Sequence, residues 1–123
     1  MMGHILPLNP TIEKMSDTEL EKNFAKKPVI FGKQNYYPVF AKRMDKFKDF
    51  LFSELIDSNN IDDFVMGNVT TSWLIAIAIL GYADNDFYKT EMVILIKQNW
   101  DDANFKNFLK YIKNEEKFVK YFK

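Results

Sequence analysis

The chain has 123 residues, with 17 basic and 17 acidic side chains, one histidine and no cysteine. That length suits one domain with one core, and 47% apolar with 16% aromatic content is enough to fill it. Without cysteine there is no disulfide framework or thiolate site. One histidine excludes multi-histidine metal centres, and zero net charge removes the simplest argument for a nucleic-acid or anionic-membrane partner.

Residues 1–11, MMGHILPLNPT, carry no basic segment followed by an apolar run, so they do not read as a secretory signal. Pro7, Pro10 and Gly3 favour an extended arm, and Ile5 and Leu8 give it apolar side chains to dock with. Residues 12–123 then read as a single helical domain.

Ser16-Asp17-Thr18-Glu19 is a capping box, with Met15 and Leu20 placed as a hydrophobic staple, and it predicts a helix over about 17–26. Pro28 to Pro38 reads PVIFGKQNYYP, which permits a small hairpin confined by its prolines to an edge. From Val39 the period turns helical. Phe40, Met44, Phe47, Leu51 and Leu55 share one face, and Asp57-Ser58-Asn59-Asn60 ends the run. Residues 61–66 read as one or two helical turns before Gly67.

Thr70 to Leu80 is apolar on nearly every face and predicts a buried central helix, with Thr71 and Ser72 as caps and Gly81 just past its end. A buried strand is the competing reading. The longest apolar stretch, Trp73–Leu80, has 8 residues, far short of the roughly 18 needed to span a bilayer. Asp84-Asn85-Asp86 caps a helix carrying Tyr88, Met92, Leu95 and Ile96. Asp101 or Asp102 caps another carrying Phe105, Phe108, Leu109 and Ile112, with a kink or restart at 114–116. The fold class expected is all-α, a compact bundle of five or six helices around the segment 70–80.

No arrangement carries chemistry. Asp84 and Asp86 resemble a calcium loop, but Tyr88 and Lys89 stand where a ligand and a glycine are needed. The pairs Asp62-Asp63 and Asp101-Asp102 read as caps or solvated turns. Four scattered glycines make no phosphate cradle. A helix-turn-helix at 60–80 fails because its second helix would present Trp73, Leu74, Ile75 and Ile77 to a major groove, with no Arg or Lys. No cofactor or metal is implied.

Charge is uneven: 9 basic and 6 acidic residues in 1–50, 2 and 8 in 51–101, and 6 and 3 in 102–123. Lys106, Lys110, Lys113, Lys117 and Lys120 recur every three or four positions. On a continuous helix they form one basic stripe, a solvated face or a surface for nucleic acid or an acidic partner such as the middle of a second copy. Twenty large rings exceed what so small a core hides, so exposed aromatics are expected at Tyr36, Tyr37 and Phe40, with Tyr111 and Tyr121 near the C-terminus. Only Arg43 among the basic residues is an arginine, the bias of an AT-rich coding sequence such as those of many small bacterial and phage proteins.

The function expected is therefore non-enzymatic: an adaptor, assembly subunit or inhibitor in the cytoplasm or inside a viral particle. Its partner is another protein, a second copy included, met through Ile5, Leu8, Tyr36, Tyr37 and Phe40. The alternative is nucleic-acid binding through the lysines; no membrane partner is expected.

Overall fold

The Ser16 hydroxyl accepts from the backbone N–H of Glu19, and the Glu19 carboxylate accepts in return from the N–H of Ser16, so the capping box forms as its sequence dictates. It opens helix α2 (Asp17–Ala25) in a computed structural model that describes residues 6–26, 33–66 and 69–123. A short α1 (Pro10–Glu13) precedes it, capped by the Asn9 side chain. Proline is accommodated there because the first turn of a helix has no use for its missing N–H.

The remaining elements are α3 (Tyr37–Ala41), α4 (Met44–Ile56), α5 (Ser58–Ile61), β1 (Phe64–Met66), β2 (Val69–Thr70), α6 (Thr71–Tyr82), α7 (Asp86–Asn99), α8 (Asp102–Ile112), α9 (Glu116–Val119) and a closing 3-10 turn (Lys120–Phe122). Among the described residues, five helices run 9 residues or more: α2, α4, α6, α7 and α8. The all-α expectation holds. No helix among them is long and apolar enough to cross a membrane.

Helix α6 is the centre. Every residue from Thr71 to Leu80 is buried, and α3, α4, α5, α7 and α9 all pack against it. Its polar groups are satisfied. Thr70, rather than the expected Thr71 or Ser72, is the N-cap and accepts from the N–H of Trp73 at 3.2 Å. The Ser72 hydroxyl donates 2.9 Å to the carbonyl of Leu55, one of the orphan carbonyls ending α4, and the indole N–H of Trp100 donates 3.3 Å to the same oxygen. Gly81 does not terminate α6: the helix runs on to Tyr82, and the Phe118 ring is the nearest side chain beside Gly81.

Three expectations need correcting. The helical pattern from Val39 to Leu55 is interrupted at Lys42–Arg43, where α3 ends and α4 begins. The cause lies outside that segment. The Arg43 guanidinium donates to the carbonyls of Glu13 and Met15 at 3.0 and 2.8 Å and to the Asp17 carboxylate at 2.9 Å, tying the break to the α1–α2 connection. Residues 64–66 are extended, not helical, and pair antiparallel with 69–70 across an irregular register. Asp63 holds them so: its carbonyl accepts from the Thr71 N–H at 2.9 Å and its carboxylate from the Thr71 hydroxyl at 2.8 Å. As for the hairpin over 28–38, its residues up to 32 lie outside the described residues, whereas residues 34–36 form a turn and Tyr37 and Pro38 open helix α3.

Candidate functional site

Helix α8 begins where the Asp101 carboxylate accepts from the N–H of Asn104 at 2.8 Å. Phe108 and Ile112 face the core, and Phe105 and Leu109 lie at its edge. At 100° per residue, Asn104, Asn107 and Tyr111 fall together on the flank beside that buried face. Across from this flank stand Ile61, Asp62 and Phe64, held in place by the Asp63–Thr71 bonds. Between them lies a groove of about 580 Å³ lined by these residues with Trp73, Asp101, Ala103 and Lys110.

Trp73 underlies the groove. The indole is buried, stands 5.4 Å from the Tyr111 ring and 5.7 Å from the Phe108 ring, and donates its N–H to Oδ1 of Asn104 at 2.9 Å. That bond fixes which way the Asn104 amide points. Its Nδ2 is left buried with no acceptor among the described residues. The Phe64 ring, by contrast, is 62% exposed. Lys110 marks the far end of the helix and makes no ion pair among the described residues.

The contact residues expected from the sequence fall elsewhere. Tyr36, Tyr37 and Phe40 are each at most 4% exposed, which overturns their assignment to an exposed contact surface. Helix α3 packs them onto α6, and Phe24 meets all three rings at centroid distances of 5.4 to 5.9 Å. Phe40 and Phe24 still show an edge in a second hollow of about 410 Å³, shared with Phe47, Phe50, Glu21 and Lys46. Of the arm, Ile5 lies outside the described residues. Leu8 is half-buried against the domain's own core, and the Leu6 carbonyl accepts from the Tyr82 hydroxyl, so residues 6–9 lie on the domain.

Lys106, Lys110, Lys113, Lys117 and Lys120 are all exposed, but they do not share one straight helix. Lys106 and Lys110 stand on α8, Lys113 ends it, Lys117 is on α9 and Lys120 is in the closing turn, its ammonium 5.1 Å from the Tyr121 ring. Among the described residues the large aromatics that face water are Phe64 and Phe87, the latter also 62% exposed and on the same face of α7 as Ile94 at 51%, two turns away.

The sequence does not mark the groove by itself, because Trp73 falls within the buried run 70–80 and Asn104 and Asn107 belong to no motif. The spacing of Asn104, Asn107 and Tyr111 on one flank was the available signal. Of the two acidic pairs, Asp63 and Asp101 make the turn and cap bonds expected of them, and Asp62 and Asp101 line the groove. Among the described residues no cluster of three His, Cys, Asp or Glu could hold a metal ion. No protein-family model matches the chain, and no curated protein or solved structure matches it.

Proposed function

We propose that the protein acts by binding another protein, without chemistry of its own, and that the groove beside α8 is where it docks. The observation that carries this reading is the Phe64 ring, held largely in water at the wall of a cavity whose other side is aromatic and amide. Covering such a ring is worth about 1.5–3 kcal/mol, so an occupant gains from the site as it stands. The cavity's size lies within the range of ordinary recognition pockets.

A photo-crosslinking residue placed at Phe64, with exposed Asn99 on α7 as the control position, tests it in extract of the source cells. One protein captured from position 64 and not from 99, then bound when purified and released at least about tenfold by Phe64→Asp (about 1.4 kcal/mol), supports the reading. Identical capture at both positions, or no effect of Phe64→Asp on the purified pair, refutes it.

A second reading, nucleic-acid binding, is favoured by the five exposed lysines, which make no ion pair among the described residues. It requires affinity for DNA or RNA that falls roughly a hundredfold between about 50 and 200 mM salt, and that charge reversal at Lys110, Lys113 and Lys117 abolishes. The protein-docking reading expects no such slope.

A further inference from the structure

We infer that the groove takes an extended peptide of about four residues, basic at one end and acidic at the other, presented by the partner protein. The inference rests on the protein-binding reading and names the chemistry of the partner.

It starts from the distribution of charge along α8. Asp101 stands at the start of the helix and Lys110 nine positions on, about 13 Å along the axis. Asp62 adds a second carboxylate to the lining. The Asp101 carboxylate spends one oxygen on capping Asn104; its other oxygen accepts no bond among the described residues. Along α8 the lining therefore runs from a carboxylate at Asp101 to an ammonium at Lys110. Four residues of extended chain span about 13 Å, so a segment carrying Lys or Arg first and Asp or Glu last reaches both.

The middle of the groove suits such a segment. Ile61, Phe64 and Tyr111 offer apolar surface to side chains, and Ala103 leaves the backbone room to approach. Asn107 is exposed on the same flank, with an amide donor and an amide acceptor, the two groups that a peptide bond requires. The aromatic faces favour a cation over an anion beside the carboxylates. A nucleotide fits less well, because its phosphate meets one lysine and two carboxylates in the same groove.

The experiment uses the full chain labelled with nitrogen-15 and three capped tetrapeptides: acetyl-Lys-Leu-Leu-Glu-amide, acetyl-Glu-Leu-Leu-Glu-amide and acetyl-Lys-Leu-Leu-Lys-amide. The resonances followed are the Trp73 indole N–H and the Asn107 side-chain amide, which report on floor and flank. The mixed-charge peptide is expected to shift both, with at least about tenfold tighter binding than either like-charged peptide. The double variant Asp62→Asn, Asp101→Asn, in which asparagine still caps α8, is expected to lose the preference over the all-acidic peptide.

Equal shifts from all three peptides, or no shift from any, overturn the inference. Shifts produced by raising the protein concentration alone do so too, and assign the groove to a second copy of the chain. If position 64 captures a protein partner while no peptide moves Trp73 or Asn107, the extended mixed-charge segment is wrong and the protein-binding reading stands. Failure of both experiments removes both.

Discussion

Trp73 and Asn104 are 31 positions apart in sequence and joined by a 2.9 Å hydrogen bond from indole N–H to amide oxygen. Through it the central helix α6 holds α8 in the orientation that shapes the groove. Asn104→Ala leaves a buried indole donor without an acceptor, and the expected loss is about 1–3 kcal/mol. Trp73→Phe costs ring volume and a donor together. The double variant should be less destabilised than the sum of the two singles, since removing both partners leaves no orphan. Thermal unfolding of the four proteins measures this; strict additivity would mean the bond contributes nothing.

Arg43 is half-buried and bonded to two carbonyls and one carboxylate. A lysine there keeps the charge and loses the fork. Arg43→Lys is expected to destabilise by about 1–2 kcal/mol, in low and high salt alike, because carbonyl acceptors are not removed by screening. The exposed neighbouring pair Lys42–Glu13, at 2.7 Å, should show the reverse: a small effect that vanishes in high salt. Equal stability of Arg43→Lys and the parent would refute the assignment of the helix break to this network.

Gly81 lies inside α6, and a methyl group there would meet the nearest Phe118 ring atom at 3.9 Å, an ordinary contact. Gly81→Ala should therefore stabilise the protein by about 0.5–1 kcal/mol, as glycine in a helix interior is the poorer choice. A lowered unfolding temperature would show that Phe118 needs the space.

Burial, assisted by its bond to Asp86 at 2.7 Å, pushes the Tyr121 hydroxyl up to about 12. Burial also raises Tyr37, with Glu54 as the next cause. A hydroxyl whose ionisation is harder in the folded chain stabilises fully below the unfolded value near 10, and that contribution is lost as pH rises toward the folded one. Stability is expected to fall between about pH 10 and 12, and Tyr121→Phe should flatten the fall. Urea titrations at stepped pH, with tyrosinate absorbance followed alongside, decide it; an unchanged slope in the variant would exclude Tyr121 as a source.

What could be read from the sequence was what neighbouring residues determine. The caps at Ser16, Asn85 and Asp101 act over two or three positions, and α2, α7 and α8 start where those residues stand. The continuous apolar run in α6 could face only a core. What could not be read depends on distant partners. Arg43 breaks a helical pattern because of acceptors at 13–17, and residues 64–66 extend because Asp63 is bonded to Thr71. Tyr36, Tyr37 and Phe40 have the composition of an interface but are buried by the α6 surface they cover. The groove draws on three separate stretches, 61–64, 73 and 101–111, so no local window displays it.

The central position of α6 also bears on how the protein is made. Helices α3, α4 and α5 leave the ribosome before it, and α7 and α9 after it. For the time needed to translate from Gly81 to Phe118, a rod of ten apolar or small residues stands half-covered. It can be sheltered by the nascent chain's own upstream helices or by a chaperone. Truncated products ending before α9 should accordingly be sticky and quickly degraded, even though they contain most of the core.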